Sequence, residues 1–159
     1  MDIRKNLVSV IGLFARLFLG FVFAYSGFTK LMQPAAHFSA VIADYGVVPV
    51  SLIPAIAVVI PWVEFFVGGF LLLGYAVKPS AVVAAVMSMS FLILLSMTYR
   101  FTGSFPEDCG CFGEGSFFHL SGGQVIFLDL VDLALAAVLL SVKKTVWSLD
   151  GWLARDASS

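Results

Sequence analysis

Four long apolar runs dominate the chain, set apart by short polar stretches. They extend from about Leu7 to Leu31, Ile53 to Leu73, Ala81 to Tyr99 and Gln124 to Val142. Each has roughly 19–25 residues, enough at about 1.5 Å per residue to cross a hydrocarbon core of about 30 Å. Backbone polar groups in lipid must pair within their own segment, so each run is predicted to be helical. The 3.6-residue period is weak, as expected of helices that are apolar nearly all round. The expected fold is all-α: an integral membrane four-helix bundle, one domain over residues 1–159, with 143–159 as a short tail. Two further stretches read as short amphipathic interfacial helices. Between Pro34 and Pro49, Phe38, Val41, Ile42 and Tyr45 recur at helical spacing, which suits a helix on the membrane surface or an ordinary connecting helix. In the tail, Trp147 and Trp152 accompany Leu149 and Leu153.

Composition agrees with the pattern. The 159 residues are 60% hydrophobic and 12% charged, with a mean hydropathy of +1.02. Soluble domains lie nearer about 45–50% apolar and about 25% charged. A short soluble chain could not hide this much apolar surface, whereas lipid can cover it. The net charge of −1 and the lack of a basic motif speak against a nucleic-acid partner. Arg4 and Lys5 precede the first run as in a secretory signal, but the run is too long and no Ala-x-Ala site ends it, so it reads as an uncleaved anchor. Arg4, Lys5, Lys78, Lys143, Lys144 and Arg155 fall at the N-terminus, the turn between spans two and three, and the C-terminus, against Lys30 and Arg100 at the ends of the other connections. Six against two predicts cytoplasmic termini in a bacterial inner membrane, with the loop after span three outside.

That loop holds both cysteines, as Cys109-Gly110-Cys111. Outside the cytoplasm thiols form and keep disulfides. Extended residues two apart sit near 7 Å, at the edge of what a disulfide spans, and Gly110 lets the chain fold sharply between them. A strained, exposed bridge exchanges readily, and so small a ring constrains the unfolded chain little. Redox exchange is therefore the preferred reading. A static disulfide and metal ligation stay open, although His37 and His119 are the chain's two histidines and no zinc spacing is present. No metal site is assigned. Phe101, Phe105, Phe112, Phe117 and Phe118 cluster around the pair, where they could sink the loop into the interface or flank a quinone ring.

Ionisable residues inside the spans are the second signal. Arg16 and Glu64 should lie near mid-membrane, and Asp129 and Asp132, three apart, share one side of span four. Each charge costs about 2.5–3.5 kcal/mol at the centre on insertion scales, so each should face the bundle interior. Arg16 shares its face with Gly20, Ala24 and Gly27, and Glu64 with Pro61 and Gly68, which predicts an Arg16–Glu64 pair. One cation cannot neutralise three acids, so some of Glu64, Asp129 and Asp132 must be protonated, hydrated or bound to a ligand. These four residues are the candidates for a cofactor site. A proton path from the thiol loop through Asp129 and Asp132 competes with the simpler reading of polar helix–helix contacts.

Several of these residues also carry a family resemblance. Arg16-Leu17-Phe18-Leu19-Gly20, Phe23, Ser26-Gly27 and Lys30-Leu31 resemble the first-helix signature of DoxX-type membrane proteins. Tyr45-Gly46-Val47-Val48-Pro49 and Pro61-Trp62-Val63-Glu64, with Gly68 and Gly74, extend it. Cys109-Gly110-Cys111-Phe112-Gly113 is similar to the MauE-like, methylamine-utilisation branch. The resemblance covers residues 10–142. It implies a four-helix membrane protein linked to periplasmic thiol–disulfide chemistry with a thioredoxin-like partner, and it carries a role onto Cys109 and Cys111 alone. The expected function is thiol–disulfide redox between that partner and a membrane carrier such as a quinone, an oxidoreductase activity. The rival is a non-enzymatic scaffold or anchor in a larger membrane complex. Solute transport is weaker, because no inverted repeat or broken-helix pair is visible.

Overall fold

The computed structural model describes residues 3–103 and 122–142, and within them the chain forms five helices and no strand. They are α1 (Ile3–Leu31), α2 (Ala35–Asp44), α3 (Ile53–Leu73), α4 (Val77–Thr102) and α5 (Gly122–Ser141). Four are long and apolar enough to cross a membrane, over Val8–Leu31, Ile53–Leu73, Val77–Phe101 and Gly123–Ser141. The third exceeds the expected Ala81–Tyr99 at both ends. Pro79 marks a turn by composition, yet it lies in the first turn of α4, where a missing N–H breaks no helical bond. At the other end Gly103, at φ 73°, accepts the left-handed cap and donates its N–H to the Tyr99 carbonyl. The predicted tail helix lies outside the described residues.

The long helices alternate in direction. α1 packs on α3 and α5, and α4 on α5 and α3. The bundle thus has two ends: one holds the α3–α4 turn, the other holds α2. The turn is short because Gly74 (φ 71°) and Ala76 (φ 47°) both take left-handed conformations. The α1–α3 contact is the tightest. A Cβ at Gly68 would stand 2.7 Å from the Gly20 carbonyl oxygen, and one at Gly27 2.7 Å from that of Pro61. Small residues let two membrane helices approach to backbone contact, where dispersion replaces the hydrophobic drive that lipid does not supply.

Packing differs between the two ends. Toward the turn, Ala15, Leu19, Val67, Leu71, Val77, Ala81, Ala84, Ala136 and Leu139 close one continuous core. Toward α2, two smaller clusters form instead. Ile42 meets Ile53 and Ala57 of α3, while Tyr45 meets Leu95 of α4 and Val125 of α5. α2 is therefore helical, as its spacing predicts, but its apolar side turns into the bundle rather than into lipid. Ile42 and Tyr45 are 4% and 2% exposed. The Thr98 hydroxyl donates to the Tyr45 carbonyl at 3.2 Å and pins this cover to α4. Phe14, Phe21, Leu73 and Phe127 are exposed, as suits a lipid-facing surface.

Candidate functional site

Between the closed core and the α2 cover the bundle is hollow. A cavity of about 440 Å³ lies there, walled mostly by apolar side chains of all five helices. Phe23, Met87 and Phe91 line it from α1 and α4, and Phe38, Ile42 and Tyr45 from the cover. Its polar side chains include Ser26, Lys30, Glu64, Asp129 and Asp132.

Lys30, Ser26 and Glu64 form one cluster. The Lys30 ammonium donates to both Glu64 carboxylate oxygens at 2.8 Å, and to Ser26 Oγ at 3.1 Å. The Ser26 hydroxyl in turn donates to Glu64 Oε2 at 3.1 Å. The ion pair is well shielded, with the Lys30 and Glu64 side chains 5% and 12% exposed. Lys30 Nζ also stands 5.0 Å from the ring centre of Phe38, joining the pair to the cover by a cation–π contact. Such an arrangement is coherent in low dielectric only because the donors of one group match the acceptors of the next.

This overturns the expected Arg16–Glu64 pair. α1 and α3 run antiparallel with Gly27 against Pro61 and Phe65, and Gly20 against Gly68 and Leu72. That register sets Glu64 beside Ser26 and Lys30. It sets Arg16 toward the C-terminal end of α3, ten residues along α1 from Ser26 and so about 15 Å away at 1.5 Å per residue. Arg16 is buried, at 3% exposed. By sequence Lys30 counts with the connection after span one, at the span's end. The signal was present in the sequence: Phe23, Ser26, Gly27 and Lys30 share one helical face. Its position at the end of a span hid it.

Asp129 and Asp132 are where their spacing places them, on one side of α5, facing the cavity. They are 9% and 3% exposed. Asp129 Oδ2 and Asp132 Oδ1 find no hydrogen-bond partner. Asp129 lies within electrostatic reach of Lys30 and Glu64, and Asp132 within reach of Asp129. The polar groups thus form one strip from α3 through α1 to α5, with three carboxyl groups to one ammonium. Of the four candidate cofactor residues, Glu64, Asp129 and Asp132 meet here and Arg16 does not. Among the described residues no group of three His, Cys, Asp or Glu could hold a metal ion. Cys109, Cys111 and His119 lie outside the described residues. α4 ends and α5 begins at the α2 end, the hollow half of the bundle.

Four apolar spanning helices around a cavity with a charged strip define a multi-pass α-helical membrane protein with an internal site. The family model of the methylamine utilisation protein MauE matches residues 8–142, and the chain belongs to this family. It is 30% identical over 130 residues to the methylamine utilization protein MauE of Paracoccus denitrificans, across 80% of this chain and 65% of that protein. The match thus spans less than two thirds of the relative's length. No solved structure matches the chain.

Proposed function

We propose that the chain is a thiol–disulfide oxidoreductase of the bacterial inner membrane that serves methylamine utilisation, the process for which its relative is named. Cys109 and Cys111 cycle between dithiol and disulfide against a periplasmic thioredoxin-like protein. Reducing equivalents pass to or from a carrier in the membrane. The observation that supports this reading is the hollow half of the bundle. Its acid–base groups lie in the half of the bundle where α4 ends and α5 begins, the two helix ends that flank Cys109 and Cys111 in sequence. Thiol oxidation releases protons as well as electrons, and carboxyl groups held in a shielded cavity suit their transfer.

Orientation forms part of the proposal. With Lys30 taken up inside the bundle, Arg100 alone opposes the six basic residues of the other face. That sharper asymmetry supports cytoplasmic termini with the cysteines outside. Of the α1 residues that carry the DoxX-like resemblance, Gly20, Ser26, Gly27 and Lys30 meet α3.

The test is trapping. Cys111→Ser and Cys109→Ser, each expressed in the native membrane, should between them accumulate a mixed disulfide with a periplasmic protein. It should vanish on reduction and in the double serine variant. If the double variant instead loses assembly of a membrane complex while neither single variant traps a partner, the chain is a scaffold subunit.

A further inference from the structure

The polar groups of the cavity do not balance one another. Lys30, Ser26 and Glu64 satisfy each other, whereas Asp129 and Asp132 carry buried oxygens without partners into a largely apolar space. Buried polar atoms are nearly always hydrogen-bonded, and an exception calls for a ligand or water. Water alone suits this space poorly, because apolar cavities stay dry and the polar strip touches one part of the wall. The missing partner should be apolar over most of its surface and should carry hydrogen-bond donors for the two carboxyl groups. It should also arrive from the bilayer. Val86, 59% exposed, and Ser90 belong both to the cavity wall and to the outer surface of α4, so the cavity reaches the lipid face there. Lys30 already supplies one cation to the strip, and a neutral donor enters the largely apolar space without a further charge to desolvate. A neutral donor is favoured.

We infer that the hollow half of the bundle binds the ring of a lipid-soluble hydroquinone, and its quinone, with Asp129 and Asp132 accepting hydrogen bonds from the ring hydroxyls. This rests on the thiol–disulfide reading and names its carrier. Oxidation of the dithiol by the carrier balances as two R–SH plus quinone giving R–S–S–R plus hydroquinone. Two S–H bonds break and one S–S bond forms. Two electrons and two protons end on the ring oxygens as two O–H bonds. A carrier that takes both and dissolves in lipid presents, when reduced, the two donors that Asp129 Oδ2 and Asp132 Oδ1 lack. Phe23 and Phe91 are among the side chains that line the space for the ring. The volume of about 440 Å³ lies within the range of about 300–1,000 Å³ usual for small-molecule sites.

The probe is radiolabelled decyl-benzohydroquinone, kept reduced under nitrogen, against the full-length protein in lipid nanodiscs. The wild-type protein should bind it saturably. Asp129→Leu combined with Asp132→Leu should weaken binding by at least about tenfold, the loss expected of one charge-assisted hydrogen bond. The unfolding midpoint of that variant should not fall, because it removes unsatisfied groups. A structural role would lower the midpoint. Should the leucine variant fail to fold, Asp129→Asn with Asp132→Asn keeps the shape and should still weaken binding. Cys109→Ser with Cys111→Ser should bind as the wild type does. Absence of saturable binding, binding unaffected by the aspartate changes, or equal displacement by decylammonium would each overturn the inference. The first of these, in a protein whose cysteines still trap a partner, would remove the carrier site and leave the thiol reading standing. Aspartate-dependent binding without any trapped partner would support the site and remove the thiol reading.

Discussion

Glu64→Gln is the sharpest perturbation of the site. It leaves Lys30 buried, its side chain 5% exposed, and replaces two charged acceptor contacts at 2.8 Å by one neutral carbonyl. Breaking a buried ion pair by removing one partner costs about 3–5 kcal/mol in soluble proteins. Two features reduce that here. Ser26 Oγ remains as an acceptor at 3.1 Å, and Lys30 is one residue from the end of α1, where a long side chain can turn toward the interface. The expected loss is therefore about 2–3 kcal/mol. Lys30→Met alone strands the Glu64 carboxylate with the Ser26 hydroxyl and should cost a similar amount. Combined, the two changes leave a neutral, roughly isosteric pair. The double variant should recover much of the loss, with a coupling energy of about 1–3 kcal/mol. The assay is reversible unfolding of the purified protein in mixed micelles of increasing denaturing-detergent fraction, followed by far-ultraviolet circular dichroism. A matching cycle on Arg16→Gln and Glu64→Gln should be additive, because the α1–α3 register holds the two about three turns apart. Additive losses in the Lys30 cycle, or strong coupling in the Arg16 cycle, would refute the register and the pairing drawn from it.

Gly68→Ala should destabilise the bundle by about 1–3 kcal/mol in the same assay, since its Cβ would meet the backbone of α1 with no flexible side chain to yield. Gly69→Ala, whose Cβ meets nothing, should be neutral or slightly stabilising. Thr98→Val should cost about 1–2 kcal/mol by leaving the Tyr45 carbonyl without that donor, and hydrogen exchange should quicken in α2 before it does in α3. In a cysteine-free background, Val50→Cys, at a position 82% exposed beside α2, should react with an impermeant thiol reagent added outside intact spheroplasts. Lys78→Cys, at the opposite end, should react only after lysis, and the reverse pattern would invert the proposed orientation.

Span number, span limits to within a few residues and the inward side of Asp129 and Asp132 were legible in the sequence. Each depends on energies local to one helix: the hydrocarbon needs a certain apolar length, and a charged residue must avoid lipid wherever its helix sits. The α2 helix was legible too, from four apolar residues at helical spacing, although not the surface it covers. What joins Glu64 was not legible, because both Arg16 and Lys30 lie on apolar-rich faces of α1 and each could meet an acid. The choice between them belongs to the antiparallel register of α1 against α3, set by backbone contact at Gly20, Gly27 and Gly68 across a long sequence separation. The cavity was hidden for the same reason. A void is a property of how four helices fail to meet, and no helix records it alone. Tertiary structure decided that the bundle closes on small residues at the turn end, parts toward α2, and holds the unmatched oxygens of Asp129 and Asp132 in the space between.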